Sequence, residues 1–418
     1  MFRPLEVPRD KDPLQRTRQP TLPPQLRSRR AHWLTQAAAE GLFALPQCRS
    51  CGTFSAPARD CCPVCLGGEF ALGVAPSRGR ILSLTQAEVP FLTYFRERAP
   101  WRVALVRLDC GPTVLAHAHY GCEMDESVAM SLKLDKAGQA VFYAAPEGRE
   151  AEYMDDPQWR ELTADPRHRR ILITDGRNPV TPHLVRDLLQ AGARKVMVGV
   201  SEDWKPFPAG NDLSRHEKVQ LVPLDVRSER AVFDLSHTYG AKTEILINTS
   251  DHIRPGGYLA PGQASHTADT MDVVAMGLMR LATAFGPVMA ARSADGDAGA
   301  VAWVNVLSAY ALTPSAQFAG YSMAHAAALN LSQSLRAELR QGGIRLMNVF
   351  VGATDSEWFQ TMPQPRVAAP ALSRSIIDGL KRGLEEMHVG AVAEDIHARL
   401  RSLPKAAERE IAATGQRG

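Results

Sequence analysis

NVLSAYALTPSAQFAGYSMAH, residues Asn305 to His325, decides how the chain is read. A strand-like run, Ala300 to Leu307, ends in Ser308; a loop with Pro314 and Gly320 follows; Tyr321 then opens an Ala-rich helical run to Arg340. Working outward, short apolar runs recur with helical segments between them. They are ILIT (171–174), KVMVGV (195–200), LVPLDV (221–226), EILIN (244–248), AVAWVNVL (300–307) and IRLMNVFVG (344–352), and Thr181–Ala191 is the first intervening helix. Strands alternating with helices predict a doubly wound parallel sheet, an α/β Rossmann-type domain over 169–405.

A serine closing a strand, with a tyrosine 321 − 308 = 13 residues later at a helix start, resembles the active site of short-chain dehydrogenases/reductases. Asp225-Val226 after the third strand and Asn248 after the fourth extend the resemblance over about 169–400. The resemblance implies Tyr as acid/base, Ser as holder of the substrate oxygen, and a Lys four residues after Tyr. Here that residue is His325. A free tyrosine titrates near ~10, so hydride chemistry at neutral pH needs a fixed cation beside Tyr321. The family's Asn on the long interface helix is Val274. Its three loop glycines are replaced by Asp175, Pro179 and Thr181, with Gly176 between them. A carboxylate repels pyrophosphate, Pro179 removes an amide from the helix start that should hold phosphate, and Thr181 adds bulk. Glu202, after the second strand, reads as a solvent-facing turn acid. Ser308, Tyr321 and His325 are therefore expected to be vestigial, with NAD(P) not bound.

The composition is that of a globular protein: 418 residues, 45% hydrophobic, 22% charged, net charge +3. Residues 1–30 carry eight Arg/Lys and three Asp/Glu, hence +5, leaving −2 for the remainder. Five of seven cysteines fall within 48–65. Cys48-Arg-Ser-Cys51-Gly and Cys62-Pro-Val-Cys65-Leu-Gly are two CxxC turns ten residues apart. That spacing lets four thiolates meet one tetrahedral Zn²⁺. With all four ligands sulfur there is no open position, so the metal is structural; Cys61 is excluded by the symmetric spacing. No stretch reads as a membrane span or signal peptide, and the clustered thiols suit a reducing cytoplasm.

Residues 79–143 read as short strands (GRILSLTQAEV, WRVALVRLDCG, TVLAHAHYG, AVFYAAP) with no helix between them, a small β-barrel. A helical arm (Ala31–Phe43, with Trp33 as a core anchor), the paired CxxC ribbon and Val-Ala-Leu-Val-Arg-Leu-Asp-x-Gly-Pro together resemble the zinc-ribbon/OB-fold proteins that accompany thiolases in acyl-CoA metabolism. The likeness covers about 28–147. It implies a non-catalytic module that binds a thiolase and helps form an acyl-CoA channel. An OB barrel also suggests single-stranded nucleic acid, but only Tyr94, Phe95, Arg96, Arg98 and Trp101 form an aromatic–basic cluster.

The expected layout is a helical arm (1–47, disordered over 1–30), zinc ribbon (48–75), OB-fold (76–147), polar linker (148–168), dehydrogenase-like domain (169–405) and tail (406–418). The apolar helices Asp269–Arg292 and Tyr321–Arg340 are expected to pair with a second subunit, with Leu278 and Ala327 central. The combination resembles the split systems of aromatic β-oxidation, as in benzylsuccinate breakdown, where one dehydrogenase subunit has lost its site. The expectation is an adaptor between a thiolase and a catalytically complete dehydrogenase subunit or itself, with acyl-CoA at the interface. The alternatives are an active NAD(P)-dependent 3-hydroxyacyl-CoA oxidoreductase and a single-stranded nucleic-acid binder.

Overall fold

The computed structural model describes residues 20–413 apart from 26–28, 58, 149, 203, 208, 294–298, 361, 363 and 364. The expected disordered arm, 1–30, falls mostly outside the described residues. Two compact units are present, one built on 20–165 with 381–385, the other on 166–380 with 386–413.

In the first unit, α1 (His32–Ala39) buries Leu34, Ala37 and Ala38. A two-stranded antiparallel ribbon follows, β1 (Ala44–Cys48) with β2 (Phe70–Val74), and it carries the cysteine turns. Trp33 packs against Cys48, Cys62 and Phe70, the anchoring role read from the sequence. Next comes a closed barrel of β3 (Arg78–Ala87), β4 (Trp101–Leu108), β5 (Thr113–Ala118), β6 (Ser127–Leu134) and β7 (Ala140–Pro146), in the order β3-β4-β5-β7-β6. A short helix α2 (Thr93–Arg96) sits between β3 and β4. Alternation sends Ala104, Val106, Val114, Ala116 and Ala118 into a narrow interior that larger side chains would overfill.

The segment expected as a linker is instead packed onto the barrel. Asp156 caps α3 (Pro157–Glu161), accepting the Gln158 amide at 2.8 Å, and accepts the Tyr143 hydroxyl at 2.6 Å. The Gln158 side chain bonds both the N–H and the C=O of Arg102, at 2.7 and 2.9 Å. Trp159 stacks edge-on to Tyr143, ring centroids 5.0 Å apart. A polar composition reads as a linker, yet the Asp156 carboxylate and the Gln158 amide have found partners on the barrel.

The second unit is a seven-stranded, wholly parallel sheet in the order β10-β9-β8-β11-β12-β13-β14. Its elements run β8 (Arg170–Ile173), α4 (Thr181–Gln190), β9 (Lys195–Val200), α5 (Gly210–Ser214), β10 (Val219–Pro223), α6 (Glu229–Tyr239), β11 (Ile245–Asn248), α7 (Gln263–Met271), a π turn (Asp272–Met276), α8 (Gly277–Arg292), β12 (Ala302–Ser308), α9 (Ala319–Arg340), β13 (Arg345–Val351), α10 (Ala369–Arg382), β14 (Glu386–Val389), α11 (Ala391–Ser402) and α12 (Pro404–Ala413). Strand order reverses between β8 and β11, so their carboxyl ends frame the crevice where such sheets bind ligands. The part of the expected tail (406–418) that the structure describes, 406–413, belongs to α12.

The run from Gln263 to Arg292 is long and apolar enough, by length and composition, to cross a membrane, which corrects the sequence reading. Its apolar side is used within the unit: Val274, Leu278, Leu281, Phe285 and Met289 pack with Trp303, Ala324 and Ala328 in the main core. Leu278 is therefore a core residue, not the centre of a pairing face, and among the described residues the exposed large apolar side chains are Met276 and Met279 here and Met323 on α9. Helical periodicity cannot tell a face buried in the domain from one buried in a partner.

Candidate functional site

Two groups of side chains carry chemistry. The first is in the ribbon. The sulfurs of Cys48, Cys51, Cys62 and Cys65 all lie within 4.8 Å of one another, with Cys48–Cys65 at 3.6 Å and Cys51–Cys62 at 3.5 Å. Tetrahedral zinc with Zn–S near 2.3 Å requires S···S of about 3.8 Å, so the donor set fits the ion. The Val64 amide points at the Cys62 sulfur at 3.4 Å, the outer-shell donor such knuckles supply. Hydrogen bonds from Thr53 pull the Cys51 thiol down to about 6. Against the Gly67 amide, which lowers it, the neighbouring Cys51 and Cys48 sulfurs push the Cys65 thiol up to about 12. Cys61 is exposed and stands outside this cluster.

The second group lies at the carboxyl ends of β8, β11 and β12. Ser308 closes β12; its Oγ accepts the Tyr310 amide at 3.2 Å and its own amide donates to His325 Nδ1 at 3.1 Å. With Nδ1 accepting, the ring proton is on Nε2, which donates to Asp251 Oδ1 at 3.3 Å. Tyr321 donates its hydroxyl to the other oxygen of the same carboxylate, at 3.0 Å. The Tyr321 and His325 rings are one turn apart on α9, centroids 4.3 Å, and both are almost fully buried. Burial first, and then the charge of Asp251, push the Tyr321 hydroxyl well above its ordinary value, with Ser308 acting weakly the other way. The sequence reading missed Asp251. It sits three residues past Asn248, in a polar run Thr249-Ser250-Asp251, and reaches Tyr321 only through the fold.

Val274, at the position of the family's asparagine, is buried within the π turn. Glu202 is an exposed residue at positive φ (51°), in the turn after β9.

The loop after β8 is occupied by its own chain. Asp175 Oδ1 accepts the Arg177 amide at 2.9 Å, Asn178 Oδ1 accepts the Val180 amide at 3.0 Å, and the Asn178 carbonyl accepts the Thr181 amide at 2.9 Å. These are the amides a helix start would turn toward phosphate. Thr181 Oγ1 closes onto the Asp175 carbonyl at 2.5 Å. The Arg177 guanidinium lies 5.1 Å over Phe207 and donates to the carbonyls of Ser201, Glu202 and Lys205 at 3.3, 3.0 and 2.5 Å. It thus spans the end of β9. Gly176 is needed here for packing: a Cβ would stand 2.9 Å from Val198 Cγ1. Burial, with Asp251 nearby, pushes the Asp175 carboxyl up to about 6. Pro179 offers no N–H. These residues do not fit a dinucleotide pyrophosphate.

Comparison with known proteins gives each unit a type. Residues 35–71 match the ChsH2 rubredoxin-like zinc ribbon domain, 74–134 the ChsH2 C-terminal OB-fold domain, and 169–366 the short chain dehydrogenase family. The chain joins a ChsH2-type zinc ribbon and OB-fold to a short-chain dehydrogenase domain. A short chain dehydrogenase from Burkholderia cenocepacia, solved in complex with NADP, superposes with TM-score 0.52 at 25% identity, covering 58% of this chain and 96% of that one. Short-chain dehydrogenase PC-15 of Penicillium crustosum is 30% identical over 153 residues, and ptmH of Penicillium ochrochloron 31% over 149. Those alignments cover 35% and 34% of this chain, and the chain spans about half the length of these curated relatives, 52% and 51%. The ribbon's four cysteines are thus a zinc-ribbon metal centre. Within the short-chain dehydrogenase domain, Tyr321 has Asp251 and His325 as its neighbours.

Proposed function

We propose that this protein is a non-catalytic accessory subunit of CoA-thioester β-oxidation. Its ChsH2-type half binds a thiolase, and its dehydrogenase half pairs with a catalytically complete dehydrogenase subunit or with itself. The observation that carries the reading is the hydrogen bond from buried Tyr321 to Asp251. A tyrosine that must take a proton from an alcohol needs its phenolate stabilised by a cation. Here a carboxylate destabilises the phenolate, and the neighbouring imidazole has Nδ1 committed to a backbone amide. The loop after β8 supports the same conclusion for the cofactor: its amides are used internally and Asp175 stands where pyrophosphate would lie, so NAD(P) is not bound. Location in the cytoplasm accords with a reduced four-cysteine centre.

A specific observation favours a second reading. The B. cenocepacia relative binds NADP and is covered over nearly its whole length. An active NAD(P)-dependent oxidoreductase would then use Tyr321 with Asp251 and His325. Calorimetric titration of the full chain with NADPH and NADH, followed by an assay of 3-hydroxyacyl-CoA oxidation, decides between them. Accessory function predicts no binding and no turnover, while co-purification from the native host retrieves a thiolase. Cofactor-dependent turnover by the wild-type chain would replace the accessory reading with the oxidoreductase one.

A further inference from the structure

Neither the metal centre nor the Tyr321 site uses an aromatic hollow on the outside of the barrel. Alternation along β4 and β5 turns Ala104, Val106 and Val114 inward and Val103, Leu115 and His117 outward. Helix α2 brings Phe95 over them, and Phe142 of β7 closes one wall. Phe95, Trp101 and His117 form an edge-to-face cluster, with Phe95–Trp101 centroids at 5.1 Å and Trp101–His117 at 5.2 Å. The cavity these side chains line holds about 260 Å³. An apolar cavity of ~150 Å³ accepts benzene, so this one accommodates one or two fused rings and no more. Leu115, at its rim, is 67% exposed, which leaves the hollow reachable from solvent.

Its polar equipment is narrow. Trp101 Nε1 donates to His117 Nδ1 at 2.8 Å. An indole only donates, so the imidazole proton is on Nε2, and no hydrogen-bond partner for that N–H stands among the described residues. Burial pulls His117 down to about 4, which leaves the ring neutral at pH 7. The nearby cations are already spent. Arg98 pairs with Glu161 at 2.9 Å and covers the Tyr94 ring, and Arg96 donates to the carbonyls of Pro90 and Phe91. Asp135 adds a carboxylate to the wall. A phosphate or carboxylate would meet the like charge of Asp135 and, for a donor, only a neutral imidazole N–H.

We propose that this hollow is a binding site for a neutral one- or two-ring molecule that presents a single carbonyl oxygen to His117 Nε2. The ring satisfies the aromatic walls by edge and face contact, and the carbonyl satisfies the His117 Nε2–H. The same chemistry is offered by a free aryl ketone and by the aryl acyl group of a thioester. The site stands on the barrel's own geometry and does not depend on the accessory reading.

The test uses the full-length, zinc-loaded chain with 2-acetonaphthone, 2-ethylnaphthalene and 2-naphthoyl-CoA as probes, read by calorimetry and by the ¹⁵N shift of His117 Nε2. The ketone should bind 1:1 and move that resonance. His117→Leu should weaken it about five- to tenfold, His117→Gln should restore most of the loss, and 2-ethylnaphthalene should be indifferent to both. Val103→Trp, which fills the hollow, should abolish ketone binding at unchanged Tm and zinc content. Binding of the ketone alone assigns the site to free ring compounds, and binding of both, or of the thioester alone with the same His117 dependence, assigns it to an acyl group. Failure of both the ketone and the thioester to bind, or binding unaffected by Val103→Trp, overturns the proposal, as does displacement of the ketone by oligothymidine.

Discussion

Tyr321 donates its hydroxyl to Asp251 Oδ2 at 3.0 Å, and His325 Nε2 reaches the other oxygen of that carboxylate at 3.3 Å. One acid from the loop after β11 therefore holds two residues of α9. If that bond keeps Tyr321 protonated, Asp251→Asn should lower the Tyr321 pKa, because it removes the charge that opposes the phenolate. Burial remains, so the value should stay above that of a free tyrosine. The sign for stability follows: a group whose folded pKa is raised stabilises the fold below its unfolded value, near ~10, and loses that contribution at higher pH. Ultraviolet pH titration of wild type against Asp251→Asn checks this, with Tyr321→Phe identifying the signal. An unchanged titration in Asp251→Asn would mean that burial alone sets it.

Asp175 gives a pH dependence in an ordinary range. Its carboxyl is pushed up to about 6 in the folded protein, above the unfolded value near ~4. The contribution is full below about 4 and lost as pH rises through about 6. Asp175→Asn keeps an acceptor for the Arg177 amide and removes the buried charge. It should stabilise the second unit by about 1–2 kcal/mol at pH 7, with the gain vanishing near pH 4. Melting curves of both proteins across pH 4–8 test it, and equal Tm values throughout would contradict it.

His325→Lys places an ammonium beside Asp251, where it should pair with the carboxylate and draw the Tyr321 pKa down. It should not create oxidoreductase turnover, because the loop after β8 still spends its amides on Asp175 and Asn178. NADPH at millimolar concentration should leave the Tm of both proteins unmoved. A rise of several degrees for either would show that the loop opens to dinucleotide.

Zinc should be present at one equivalent. Cys62→Ser should lose the metal and the fold of the ribbon with it, since such sites fold with their ion. Cys61→Ser should keep both. Elemental analysis of freshly purified protein is the measurement, and a metal-free wild type with an intact ribbon would refute the assignment.

Assembly should depend on the exposed methionines. Met279→Asp or Met323→Asp should separate the subunits while leaving the unit folded, because both side chains are about half exposed, 46% and 42%. Leu278→Asp should instead unfold it, since an unpaired charge at a fully buried position costs several kcal/mol, of order ~3–5. Sedimentation and circular dichroism separate the two outcomes. A wild-type chain that sediments as a monomer alone and with its candidate partners would remove the case for pairing.

The sequence by itself determined the features written as local pattern. The paired CxxC spacing brought four sulfurs together, because a turn needs only a few residues. KVMVGV was a strand at its predicted ends, and the alternation of strands and helices carried the parallel sheet, because burial on both faces demands continuous apolar runs. Four-residue β14, with Glu386 and His388 in it, has no such signature and was not seen. Tertiary structure decided what depends on distant partners. The stretch 148–168 looks like a linker until Tyr143, Arg102 and the barrel supply bonds for Asp156 and Gln158. Leu278 could face a partner or the core, and only the placement of Trp303 and Ala324 settles it. Asp251 is an unremarkable loop acid in the sequence. It becomes the centre of the site because a parallel sheet brings the ends of β11 and β12 side by side, setting it against a tyrosine seventy residues away.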